Sequence, residues 1–288
     1  MSSWWQRWVD HVGRPIDTRI LASVRIGMAG IMALDMLWTW WLGLVPWLYV
    51  PGPDSLARPH RLWLLTDLGP EAVHMAFWGA VVSYLFVAAG LFTRPAIVVG
   101  ILCEAQIGMA NTLAEQGVDH ICRTMLLILL FSGSDGRWSL GPAQRRDTVP
   151  GWPVDLMAWL LVLIYTASGV CKPLRDWSAW LDPSALPATY RIMADPLSGV
   201  VDPVLGHQLL PLMHAMDWAT LVFEIGAVML LTRYARWWAV MGVVMHLGLA
   251  ATMKLGQFPY VILAMYPIWF AEPALRWWDA RRARATGS

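Results

Sequence analysis

The chain reads as an all-α integral membrane protein, a bundle of about eight transmembrane helices with interfacial or re-entrant segments, and three observations point there. Of its 288 residues 57% are apolar, 14% are charged and 20 are tryptophan, far from the usage of a soluble domain. Uncharged stretches as long as Ala72 to Thr93 are sufficient to cross ~30 Å of hydrocarbon. Runs such as LLVLIYTASGV and VVSYLFVAAGLF lack the apolar–polar alternation of a membrane barrel strand, which leaves helices as the spanning element.

Along the chain, the N-terminal segment 1–16 places Trp4, Trp5 and Trp8 on one face of a short helix, as suits a segment lying in the membrane interface. Arg7, Asp10 and Arg14 leave no signal-peptide core there. Apolar runs then predict helices over roughly 18–42, 72–92, 95–113, 119–133, 154–172, 207–231, 235–253 and 257–272. Segments near 54–70 and 177–200, rich in Pro, Trp and Leu, read as interfacial or re-entrant. Residues 274–288 form a basic tail, and the whole chain 1–288 reads as a single domain.

Positive charge sets an expected orientation. With the N-terminus inside, cytoplasmic segments collect Arg7, Arg14, Arg19, Arg94, Arg137, Arg145, Arg146, Arg233, Arg236, Arg276, Arg281, Arg282 and Arg284, and the opposite side holds Arg58, Arg61, Lys172, Arg175, Arg191 and Lys254. The expectation is a multi-pass protein of the cell membrane with both termini cytoplasmic. Arg25 and Arg123 are left inside helices, where they need partners. A net charge of +1 gives no nucleic-acid signal. Cys103, Cys122 and Cys171 lie in separate predicted helices without a C-x-x-C pair, so no metal site is expected and buried thiols are the default, with Cys171, next to Lys172, as the exception.

Threading the helices alternately through the bilayer gathers Lys172, His120, Asp119, His246, Asn111 and His214 in the outer leaflet, with Glu104, Glu224 and Asp217 nearer the middle. That predicts a polar pocket opening outward. Each residue also has a plain structural explanation. Lys172 could be a snorkelling anchor at a helix end, and Asp119 could cap the helix that follows it. Glu104 and Glu224 need pairing or protonation at such depth, with Arg25 or Arg123 as their structural ion-pair partners.

These residues resemble a known family. IYTASGVCKPLRDW is similar to the motif of the membrane domain shared by the vitamin K-dependent gamma-glutamyl carboxylase and the bacterial HTTM (horizontally transferred transmembrane) proteins, matched by Tyr165, Gly169, Lys172 and Trp177. Further agreement lies in Arg25-Ile26, the GLFTR turn ending at Arg94, Asp119-His120, GRWSL from Gly136, and H-x-G-L-A-x-T-M-K-L-G-x-F-P-Y-V-x-L-A from His246 to Ala264. The resemblance implies a reduced quinone of vitamin K or menaquinol type as cofactor and Lys172 as the base that takes its proton. It also implies that His120 and His246 orient the quinol oxygens or carry an oxyanion, with Tyr165, Trp177, Asn111 and Tyr260 as cofactor-binding residues. A low-dielectric pocket favours the neutral amine such a base requires.

Two departures bear on substrate. Cys171 stands where the carboxylase has a second lysine, and the chain ends about sixteen residues after its last predicted helix, without the carboxylase's large lumenal region. The leading expectation is therefore a quinol- and oxygen-dependent oxidoreductase or carboxylase-like lyase with an outward-facing site. A small-molecule or peptide substrate, brought by a partner protein, goes with it. The alternative is a non-catalytic accessory subunit, or a quinone- or lipid-binding protein in peptide maturation or export. A transporter has little support, since no inverted repeat of interrupted spans is evident.

Overall fold

The computed structural model describes residues 2–60, 68–141, 145–175, 210–252 and 255–286. Its helices, in chain order, are α1 (Ser2–Val12), α2 (Thr18–Trp41), α3 (Val45–Tyr49), α4 (Pro70–Ala89), α5 (Thr93–Ala110), α6 (Gly117–Ser132), α7 (Trp152–Arg175), α8 (Leu210–Ile225), α9 (Ala235–Thr252), α10 (Phe258–Met265) and α11 (Pro267–Thr286). Two three-residue strands, β1 (Pro15–Asp17) and β2 (Thr148–Pro150), pair antiparallel. This departure from an all-helical chain is small and local: a proline at one end of each strand holds the flanking backbone extended.

Eight spanning helices are not established. Among the described residues four are long and apolar enough to cross a bilayer, namely Thr18–Trp41, Pro70–Ala89, Trp152–Lys172 and His214–Leu231; a fifth arises if α10 and α11, bent by 51° at their junction, form one span. The reasons are physical. The bend falls at Pro267, whose missing N–H and fixed φ interrupt the helical ladder. Arg94 and Glu104 lower the apolarity of α5, and α6, 16 residues long, carries Asp119 and Arg123. The expected segment 177–200, and Trp177 with it, lies outside the described residues, as does 61–67.

Contacts divide the chain into two compact units, 1–155 with 270–288, and 156–269. In the first, α2 packs on α4 and α6, and α5 packs on both α4 and α6. Leu21, Val24, Arg25, Met28, Ala29 and Met32 of α2 are all buried, the i, i+3, i+4 stripe of a helix facing neighbours. Leu34, Trp38 and Trp41 on the same helix are exposed. A helix apolar on both its buried and its outer faces suits a lipid solvent. Gly90 ends α4 in the left-handed conformation at φ 72°, which a residue with a Cβ adopts at a cost.

In the second unit, α9 packs on α8, on the 3-10 helix over Gly226–Leu231 and on α10. Its core includes Met157, Leu161 and Tyr165 of α7, Leu221 and Phe223 of α8, and Val261, Ile262 and Met265 of α10. Trp238 stacks on Phe223 at 5.8 Å between centroids and donates its indole N–H to the Phe223 carbonyl at 3.2 Å. In the first unit, outside its core, Arg14 grips Asp155 through two bonds of 2.5 and 2.6 Å, and α1 leaves Trp4, Trp5 and Trp8 exposed.

Candidate functional site

Helical spacing builds the site in the second unit. On α7, Tyr165, Ser168 and Lys172 fall at i, i+3 and i+7, one above another on a single face. Gly169 lets that face meet α8 closely: a Cβ there would lie 2.8 Å from Glu224 Cβ and 3.0 Å from the Ile225 nitrogen. Lys172 Nζ donates to both carboxylate oxygens of Glu224 at 2.5 Å, and Ser168 Oγ donates to the same carboxylate at 3.1 Å. The Glu224 side chain is 8% exposed and that of Lys172 35%. Opposite charges in such contact compensate for lost hydration, and removing either partner strands the other.

Two turns of α7 away lies an uncharged network. Tyr165 Oη is 2.7 Å from His246 Nε2 and 2.9 Å from Tyr266 Oη, and its ring meets Phe223 edge-on at 5.1 Å. His246 is 1% exposed, and its Nδ1 is buried with no hydrogen-bond partner among the described residues. A buried polar atom left unpaired costs on the order of 1–3 kcal/mol, so it asks for an explanation.

The first unit holds a chain of charged groups. Tyr84 Oη donates to Glu104 at 3.1 Å, Arg123 Nε lies 3.4 Å from Glu104 and Arg123 also donates to Glu115. His120 stands 3.8 Å from Glu115 with its side chain 66% exposed. Asp119 accepts from the Gln116 backbone at 2.7 Å, completing a capping box at the start of α6.

Several expectations change here. Glu224 pairs with Lys172 and with neither arginine, because α8 meets α7 where Gly169 leaves room. Arg25 forms no ion pair with Glu104 or Glu224; its Nη2 donates to the Trp138 carbonyl at 2.5 Å. Asn111 acts as a loop clamp, donating to the Leu48 carbonyl at 2.9 Å and accepting from the Leu113 nitrogen at 3.1 Å, which occupies both ends of its amide. Tyr260 is half-exposed on α10. His120 and Lys172 belong to different units. Ser168 and Tyr266 had not been singled out. Ser168 was within reach of the sequence, lying one turn from Lys172 on the face of Tyr165, whereas nothing in AMYPIW marks Tyr266.

The sequence profile of the HTTM domain matches residues 13–274, nearly the whole chain. The chain belongs to the HTTM domain family. Family membership, together with the long apolar helices, makes it a membrane protein related to the carboxylase membrane domain. No curated protein and no solved structure matches it. Among the described residues of this HTTM domain, no group of three or more His, Cys, Asp and Glu side chains is placed to hold a metal ion.

Proposed function

We propose that this HTTM domain is a quinol- and oxygen-dependent oxidoreductase or carboxylase-like enzyme of the cell membrane, with its site facing outward, both termini cytoplasmic, and Lys172 with Glu224 as its proton acceptor. The observation that carries the reading is the 2.5 Å contact of the Lys172 amine with both oxygens of a buried carboxylate. The residues fit a quinol in two respects. The amine and carboxylate face one another at the partly exposed end of α7, and the unpartnered His246 Nδ1 offers a hydrogen-bonding atom to a polar ligand oxygen.

A quinol, when bound, supplies two dissociable hydroxyl protons and two electrons. Lys172 and Glu224 can share the work of taking a proton. As ammonium and carboxylate the pair is neutral overall; when the carboxylate takes a proton, the ammonium remains as a positive charge beside the anion left behind, so no isolated charge is created in a low-dielectric setting. Ser168 holds the carboxylate through its hydroxyl. His246, anchored through Tyr165, serves to orient.

A second reading rests on the same contact. An amine already matched by a carboxylate could be a purely structural tie, which favours the accessory or quinone-binding alternative. Oxygen uptake and quinone formation from menaquinol by purified protein in nanodiscs separate the two. The expected result is turnover that falls by ~10²–10⁴ in Lys172→Ala and in Glu224→Gln, with thermal unfolding still cooperative. Quinone binding without oxidation in the wild type would establish the accessory reading, and neither binding nor oxidation would end both.

A further inference from the structure

Away from the Lys172 site, the first unit contains a cavity of about 690 Å³ lined by Arg19, Arg137, Arg145, Arg282, Trp138 and Ser139, with Asp17, Asp135, Asp147 and Asp279 among them. We propose that this cavity binds a phosphate group, independently of whether the Lys172 site is catalytic.

The charges lining it are unevenly used. Arg19 takes both Asp17 and Asp279, at 2.6 Å each, and Arg137 is tied to Asp147. Those pairs hold two guanidinium groups in place at the rim. Arg282, whose guanidinium lies over the Trp278 ring at 5.6 Å, also faces the Asp279 charge, which leaves Arg145, opposite Asp135 in the lining, as the cavity arginine in no described ion pair.

Beneath the same loop lies Arg25, 0% exposed, which among the described residues has Nε and Nη1 without a hydrogen bond and donates from Nη2 to the Trp138 carbonyl. The Asp135 charge faces this guanidinium without an ion-pair contact, so part of its positive potential is left for the cavity above it. The loop is firmly seated: Ser139 Oγ donates to the Gly90 carbonyl at 2.6 Å and the Leu140 nitrogen to the Ala89 carbonyl at 2.9 Å. Trp138 is nonetheless held at φ 49°, a conformation a bulky side chain adopts only under constraint. Planar guanidinium groups held around one cavity, with Arg145 in no described ion pair, suit phosphate oxygens.

The phosphate could belong to a lipid headgroup or to a soluble ion, and one experiment distinguishes them. Protein purified in an uncharged detergent is titrated with phosphatidylglycerol, with phosphatidylcholine and with inorganic phosphate, reading bound lipid by native mass spectrometry and unfolding temperature by fluorescence. Arg145→Gln and Arg137→Gln/Arg145→Gln are compared with wild type. Arg145→Gln keeps every described ion pair, so its folding is not at stake. Phosphatidylglycerol held over phosphatidylcholine, and weakened about tenfold in Arg145→Gln, supports a headgroup site. Stabilisation by inorganic phosphate alone, lost in the same variant, supports a soluble phosphate. Equal binding by wild type and both variants, or no binding, overturns the proposal.

Discussion

The two units solve the same problem, charge inside apolar surroundings, in opposite ways. In the second, one carboxylate meets one amine, and the pair closes on itself: Lys172 and Glu224 need nothing further to be neutral. In the first, Arg123 serves two carboxylates, Glu104 and Glu115, while Arg25, among the described residues, hydrogen-bonds a carbonyl and feels the charge of Asp135 without an ion-pair contact. A matched pair can pass a proton between its own amine and carboxylate and stay neutral throughout. A mismatched group must find its compensation beyond its immediate neighbours, and both the cavity above Arg25 and the exposed His120, 3.8 Å from Glu115, lie where it can be found.

Removing one half of the matched pair should have the largest effect. Glu224→Ala leaves the Lys172 ammonium without its carboxylate and should lower stability by about 3 kcal/mol, near the lower end for a broken buried pair because Lys172 is partly exposed. The double variant Lys172→Met/Glu224→Leu should recover most of that loss in thermal unfolding. If Glu224→Ala costs under ~0.5 kcal/mol, the pair behaves like a surface salt bridge and the contrast between units disappears. A smaller test keeps both charges and changes only the spacing. Gly169→Ala puts a methyl 3.0 Å from the Ile225 nitrogen, and backbone does not yield as a flexible side chain does, so a loss of roughly 1–3 kcal/mol is expected. An unchanged melting temperature would show that the two helices part without cost.

The smallest effect belongs to the first unit's rim. Partial burial alone would raise the Asp17 carboxyl, but hydrogen bonds from the Arg19 side chain and backbone and the Arg19 charge outweigh it and hold the group below its ordinary value. Its folded value is the depressed one, so this contribution is complete above the unfolded value of ~3.9 and is lost as pH falls through the lower folded value. Asp17→Asn should remove that acid-side slope and cost less than ~1 kcal/mol at neutral pH. An identical slope in the variant would assign the acid sensitivity to another carboxylate.

Much of this was legible in the sequence because it is encoded locally. Long apolar runs locate the helices within a few residues: 18–42 against Thr18–Trp41, 119–133 against Gly117–Ser132. The face bearing Tyr165 and Lys172 follows from spacing alone. The span count was less legible, since apolar runs interrupted by Glu104 or Arg123 form helices whether or not they cross a bilayer. Partnerships were least legible. Glu224 is 52 residues from Lys172, and threading by depth placed the two at different levels; only the close approach at Gly169 brings them together. Tyr266 joins Tyr165 across 101 residues, a distance over which hydropathy carries no pairing information.

The Tyr165 hydroxyl has two neighbours and one hydrogen. If it gives that hydrogen to His246 Nε2, a neutral imidazole carries its own on Nδ1, and the buried atom without a partner is a donor. If it turns towards Tyr266, Nε2 must carry the hydrogen, and Nδ1 becomes a bare lone pair. The same heavy-atom positions thus serve two polarities, and rotation of one O–H bond coupled to a tautomer change converts between them. What His246 offers to anything beside it is therefore decided on the far side of the ring, by the direction in which Tyr165 points.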